Sequence, residues 1–380
     1  MAGYSVDTIL APEVILERIS RFDLPGTTLQ RIFGWGVAQT GDRATGENVG
    51  NTENYDGRTG AYDIFDITRR IATGRVPAAA SSRQKPQKVG NVQFTIPRSA
   101  ETIPLLDEDL HNRRRIGGPV NELDRGGRQY IDAQEEYIAQ RYANLIEFQT
   151  AAMLRGSYTF DQKDDDLEHR FTGGESTIDY QIPDANKTTL TMDGTTQCIS
   201  ATWATAGTDI PLDLFNINAG FVYATGQGLA HAVCDSAVWN EIVNNTAIHT
   251  QGGSANIVFE SIDKRGAGEF SCILRSIPWL TWHVVDYGLD VWDGSAYTWT
   301  KLIPANTCTF FPEPDRRWCT YLRGGEWVTE GPNGIKEFRY GFYPFSYPSH
   351  DPSGWNLCAV HNGFPALKRP KAIAHGTVVF

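Results

Sequence analysis

The chain of 380 residues is short of the usual devices for stapling, anchoring or cutting. Its six cysteines, Cys198, Cys234, Cys272, Cys308, Cys319 and Cys358, all fall in the second half and form no Cys-x-x-Cys pair, so neither a disulfide framework nor a zinc site is expected. No run approaches the roughly 18 apolar residues needed to span a bilayer. The first residues, Met1 to Asp7, lack a basic segment leading into an apolar one, so no secretory signal is expected and the chain is placed in a reducing cytoplasm. Positive charge is scarce as well. Lys plus Arg number 34 against 45 Asp plus Glu, a net −11, the wrong sign for a protein whose main affinity comes from gripping phosphate.

Signature motifs are missing too. There is no Gly-x-Ser-x-Gly elbow, His-Glu-x-x-His pair or phosphate-cradling glycine loop. Gly226-x-Gly228-x-x-His231 lacks a third glycine and follows a helical pattern, whereas a dinucleotide fingerprint follows a strand. Asp164-Asp165-Asp166 with Glu168 and His169 lacks the glycine-centred spacing of a calcium loop. No catalytic, cofactor-binding or metal-binding residue is assigned, and no reaction is expected.

What the chain does have is an ordinary globular composition, 41% apolar and 21% charged, and enough length for two or three domains. Its local charge is uneven. From 61 to 98, seven basic residues (Arg69, Arg70, Arg75, Arg83, Lys85, Lys88, Arg98) face two acids (Asp63, Asp66), a local +5 within a chain of −11. Tyr62 to Ile71 reads as a strand, and Val92, Phe94 and Ile96 alternate with polar residues as a half-buried strand requires. The gap between them, Thr73 to Gly90, is too long for a tight hairpin and too polar to bury. From charge alone this is either a solvated flexible loop or an extended arm that meets the acidic body of another copy of the chain, and the second reading implies homo-oligomerisation.

Arg128 to Arg155 contains neither Gly nor Pro and places Ile131, Ile138, Tyr142, Leu145 and Ala152 at helical spacing, predicting one helix of roughly 42 Å. Gly126-Gly127 and Gly156 bracket it. A short helix with Pro12 near its start precedes it, and strands are expected at Thr177 to Ile182 and Thr188 to Met192. Asp209 is a candidate N-cap for a helix over Ile210 to Thr225, with Leu212, Phe215, Ala219, Val222 and Tyr223 as its apolar face. A strand at Leu229 to Cys234, a helix at Ser236 to Asn245, a hairpin through Asp293-Gly294 and a buried strand at Thr307 to Phe311 follow. Only Trp35 precedes residue 200 and the other nine tryptophans follow it, so the second half is expected to have its own core. An aromatic-rich carbohydrate-active or carbohydrate-binding protein is the alternative that this aromatic wealth suggests.

The order of these pieces, together with local text, resembles the major capsid protein of tailed bacteriophages, of the phage lambda coat type. The text comprises Asp63-Ile64-Phe65-Asp66, Thr68-Arg69-Arg70 and Ala72-Thr73-Gly74-Arg75 entering the finger, then Ile103-Pro104-Leu105-Leu106 leaving it. Gly126-Gly127-Arg128-Gln129-Tyr130-Ile131 leads through Glu135-Glu136 and Ala139-Gln140-Arg141 to Met153-Leu154-Arg155-Gly156, and Tyr287-Gly288, Leu302-Ile303-Pro304 and Tyr340-Gly341 are the looser landmarks of the tail.

The resemblance implies an α+β capsid fold of the Hong Kong phage type. Its parts would be an N-terminal arm (1–45), an extended β-hairpin loop (46–104), a peripheral domain (105–200) with a spine helix (128–155), a mixed α/β axial domain (201–344) and C-terminal strands (345–380) returning to the peripheral domain. It implies a self-assembling icosahedral shell of hexamers and pentamers around double-stranded DNA, without sequence-specific DNA contact and without a membrane. The shell would form in the host bacterial cytoplasm and persist in the virion. Loop residues Arg69, Arg70, Arg75, Arg83, Lys85 and Lys88 would touch a neighbouring subunit, and Gly117, Gly118, Gly126 and Gly127 would act as hinges. Some relatives carry a long scaffolding segment ahead of the loop; with some 60 residues there in this sequence, a separate scaffold is expected, beside portal and decoration proteins. Lys85 or Lys88 could donate an inter-subunit crosslink, but no matching acceptor is found, and none is expected.

Overall fold

A computed structural model describes residues 10–22, 24–37, 51–65, 89–108, 125–161, 175–189, 199, 201–205, 207–251, 259–266, 269–292, 296–330, 335–350 and 352–379. Helices α1 (Pro12–Ile19) and α2 (Thr28–Phe33) come first. Pro12 suits the first turn, where its missing N–H goes unused, and Gly34 ends α2 at a φ of 71°. Strands β1 (Thr52–Tyr55), β2 (Thr59–Phe65), β3 (Val89–Thr95) and β4 (Arg98–Leu106) follow. The expected strand from Tyr62 thus starts three residues earlier, and its end beyond Phe65 lies outside the described residues.

Helix α3 spans Arg125–Arg155, so Gly126 and Gly127 lie inside its first turn rather than ahead of it. Its exit is as expected: Gly156 takes a φ of 102°, and its N–H donates to Ala152 O at 3.0 Å. At 31 residues the helix is roughly 46 Å long. Ile131, Ile138, Tyr142 and Ile146 are buried, each apolar side chain contributing about 1.5–3 kcal/mol on leaving water. Strands β5 (Ser157–Asp161) and β6 (Glu175–Asp179) pair beyond it. The strand expected at Thr188 is not one. Ala185–Thr189 is a π-helical turn, held by the amide of Asn186 donating to Ile373 O at 2.9 Å, and 190–198 lies outside the described residues.

The second half supplies α4 (Ile210–Thr225), β7 (His231–Cys234), α5 (Ser236–Asn244) and α6 (Thr246–Gln251), then β8 (Phe259–Gly266), β9 (Glu269–Leu274), β10 (Ile277–Val285), β11 (Gly288–Trp292), β12 (Tyr297–Lys301) and β13 (Thr307–Phe311). Strands β14 (Cys319–Glu330), β15 (Ile335–Tyr340), β16 (Phe342–His350), β17 (Ser353–Leu367) and β18 (Ala374–Thr377) complete it.

Two six-stranded sheets organise the molecule. The first runs β1-β14-β17-β16, with β15 on β14 and β4 on β17. Helix α3 lies across β17, where Tyr142 OH donates to Ala359 O at 2.6 Å and Gln149 Nε2 to Gly363 O at 3.1 Å. The second sheet runs β18-β13-β7-β10-β9-β8, with β7 and β10 parallel and the other neighbours antiparallel. Its alternation of side chains divides two cores. Val233 and Phe311 face the core shared with α2 and α3, while Ala232, Cys234, Cys308 and Phe310 face the core under α4 and α5. The last 36 residues therefore serve both sheets, β17 in the first and β18 in the second.

Asp209 and Asp235 cap α4 and α5, their carboxylates accepting from Leu212 N and Val238 N at 3.1 Å each. The face of α4 expected to enter the core does not. Ile210, Leu214, Ile217 and Phe221 are buried, and Leu212, Phe215, Ala219, Val222 and Tyr223 face outward. Both sides of this helix are apolar, so hydropathy periodicity alone could not choose between them.

Candidate assembly surfaces

Antiparallel β2 and β3 form the root of the expected finger, with Thr59 opposite Thr95 and Phe65 opposite Val89. Tyr62, Val92 and Phe94 bury its inner face, and Phe94 reaches Phe364 of β17 at 5.0 Å between rings. The root is fixed from outside by Glu326 of β14, which accepts from Arg98 Nε at 2.9 and 3.0 Å and from Asn362 Nδ2 at 2.8 Å, with Arg58 at 3.6 Å. Burial pushes the Glu326 carboxyl up, but these hydrogen bonds and the two guanidinium charges outweigh it and hold it below the usual range. Arg69, Arg70, Arg75, Arg83, Lys85 and Lys88 lie outside the described residues, as do Gly117 and Gly118. Gly127 is buried in the first turn of α3.

The N-terminal segment is clamped to α3 by two buried carboxylates. Glu147 accepts from Leu29 N at 2.8 Å, Gln30 N at 3.0 Å and Tyr287 OH at 2.8 Å, so it caps the first turn of α2 while reaching into the second half. Burial pushes its carboxyl up to about 7 even against those donors. Glu135 accepts from Arg18 at 2.9 and 3.0 Å, and Arg18 also pairs with Asp132. Burial pushes Glu135 up to about 8, with Arg18 pulling the other way. Sequence reasoning missed both groups, because the partners that hold them lie more than 110 residues away in the chain.

A hydrogen-bonded chain crosses the second sheet. His231 Nε2 lies 2.9 Å from Glu313 Oε2, His231 Nδ1 lies 3.0 Å from His283 Nε2, and His283 Nδ1 lies 2.7 Å from Ser271 Oγ. With one proton on each ring, one assignment satisfies every contact: Ser271 donates to His283, His283 to His231, and His231 to Glu313. Burial holds His231 below its ordinary value, and Glu313 partly offsets this. The chain satisfies polar groups that the sheet would otherwise bury alone, as does the 2.7 Å contact of Thr309 Oγ1 with His375 Nδ1.

The outer surfaces carry aromatics. Tyr137 of α3 and Tyr297 of β12 stand exposed around a cleft with the Glu101–Arg141 ion pair of 2.7 Å in its wall. Trp299 stands exposed on β12, and Trp327 of the β14–β15 hairpin is exposed against Phe338 at 5.2 Å between rings. These lie on different hairpins, whereas Trp35, Trp203, Trp282 and Trp318 are fully buried. The aromatic wealth therefore goes largely into cores. Among the described residues no helix is long and apolar enough to cross a membrane, and no cluster of metal ligands occurs.

A long helix laid across one sheet, a second sheet with its own helices and core, and a two-stranded finger root on the outside make the fold of a phage coat subunit. The chain belongs to the family of phage major capsid protein E, whose model matches residues 49–378. A crystal structure described as a prophage capsid protein of Escherichia coli CFT073 is 12% identical with a TM-score of 0.57, each chain covered over 100% of its length. A phage-related protein from Bordetella bronchiseptica RB50 is 11% identical with a TM-score of 0.48, over 99% of this chain and 97% of the other. The mature capsid subunit of bacteriophage PhiM1 is 12% identical with a TM-score of 0.42, over 86% and 85%. No curated protein matches the chain. The chain is thus a shell-forming capsid protein of the virion with a structural role, and neither family nor fold supports the carbohydrate alternative.

Proposed function

We propose that the chain tiles an icosahedral shell of hexamers and pentamers around double-stranded DNA, and that its role is purely structural, with no catalysis of its own. The observation that carries this reading is the match over 49–378 to capsid protein E, joined to a finger root whose connecting segment holds Arg69, Arg70, Arg75, Arg83, Lys85 and Lys88. Those six cations lie over a neighbouring subunit of net −11, setting register by charge. Residues 1–45 act as an arm, 46–104 as the loop, 105–200 with 345–380 as the peripheral domain and 201–344 as the axial domain. Gly117, Gly118, Gly126 and Gly127 act as hinges between shell states.

A separate scaffold, a portal and decoration proteins complete assembly, which takes place in the host bacterial cytoplasm. An acidic inner face repels phosphate and lets DNA slide during packaging without sequence-specific contact. Replacing the six loop cations with serine tests the loop: the variant is expected to fold and sediment as free subunits, and closed particles at the parent's yield would contradict it. Emptied parent particles are expected to release added DNA even at low salt; firm retention would contradict the acidic inner face.

A further inference from the structure

The outward face of α4 is apolar and exposed. Leu212 is 52% exposed, Phe215 51%, Val222 37% and Tyr223 72%; Leu212, Phe215, the exposed Ala219 and Val222 follow at steps of three and four, and Tyr223 lies four beyond Ala219 on the same stripe. Asp213 is the helix's one charged residue, and it points inward, where it accepts from Trp203 Nε1 at 3.1 Å. On α3, by contrast, the outward positions include Arg128, Gln129 and Glu136. A helix apolar on every side belongs in an interior. The stripe also continues off the helix, since Phe215 lies against Trp279 of β10 at 5.7 Å between rings.

We propose that this stripe is buried against a second copy of the chain in the assembled shell. Large side chains of this kind present about 150–250 Å² each, so half-exposed they leave on the order of 400 Å² of apolar surface. That is at the size where an exposed patch marks an interaction site, and about half of the roughly 800 Å² that one partner contributes to a standard interface. It fits the apolar centre of a protein–protein contact with a polar rim. Nucleic acid does not fit, because the stripe offers no cation to phosphate. A small ligand does not fit, because the face is the convex side of a helix and not a concave pocket. A shell subunit meets copies of itself on several sides, which makes a second copy the partner present wherever the stripe is.

The inference rests on the capsid reading, and the test separates the two. A photoreactive p-benzoylphenylalanine is placed at Tyr223, and assembled particles are irradiated and run on a denaturing gel. A crosslinked band at twice the 42.2 kDa chain mass, with both peptides from this sequence, is the expected result. Particles that yield no such band, or that join Tyr223 to a different polypeptide, would overturn the inference while leaving the capsid reading intact. Absence of particles from the unsubstituted chain in sedimentation, with scaffold supplied, would count against the capsid reading itself. In parallel, the triple variant Leu212→Gln, Phe215→Gln, Tyr223→Gln is expected to keep the parent's circular dichroism and melting midpoint and to lose at least tenfold in assembled yield. Assembly at the parent's yield would overturn the inference.

Discussion

At residue scale, Glu147 and Glu135 bind a preceding segment to α3 through carboxyl groups held out of water. Their cost has a pH signature. A carboxyl raised from its ordinary 4.5 to about 7 or about 8 holds a proton in the folded chain that the unfolded chain has lost, so stability falls as pH rises through that window. His361, buried, and His375, half-buried, act oppositely. Burial pushes them down to about 3 and about 4, so below pH 6.5 the unfolded chain takes up protons that the folded chain refuses, and stability falls with acid. The two pairs oppose one another between pH 4.5 and 6.5, so the maximum falls inside that range and stability declines from pH 6.5 upward. Between there and pH 8 the two glutamates account for a loss on the order of 2 kcal/mol. Melting midpoints of the unassembled chain from pH 5 to 9 measure it. Glu135→Gln with Glu147→Gln is expected to flatten the alkaline limb, and an equally steep limb in that variant would contradict the assignment.

At the scale of elements, the entry of α3 carries the sharpest test. Gly126 and Gly127 sit inside its first turn, where each costs about 1 kcal/mol of helix stability relative to alanine. If they are retained for pivoting, Gly126→Ala with Gly127→Ala should give particles that assemble but no longer convert between two sizes in light scattering; unchanged conversion would remove the hinge role. The same helix illustrates what a sequence can reveal. Its length, its exit at Gly156, the Asp209 cap and the β11–β12 hairpin all follow from local rules that tertiary packing reinforces. The burial of Glu135 and Glu147 depends on partners more than 110 residues away and leaves no local trace. Likewise the polar run Ser271, His283, His231 is assembled by strand order, which the spacing of those residues does not encode. On α4 the apolar pattern was legible but its direction was not, because a surface destined for a partner subunit obeys the same hydropathy rule as a core.

For the whole molecule, two cores meet on one sheet, with α4 and the finger root presented outward. The acidic total charge and the basic segment from 61 to 98 are complementary within one sequence, as the proposed contact between copies requires. The purified chain, with scaffold supplied if needed, should therefore give particles whose mass, measured one by one in a charge-detection spectrometer, reaches megadaltons and divides by the 42.2 kDa subunit into a number that a closed icosahedral lattice allows. A chain that stays at 42.2 kDa or a small multiple of it, whatever scaffold is added, would contradict its role as the shell.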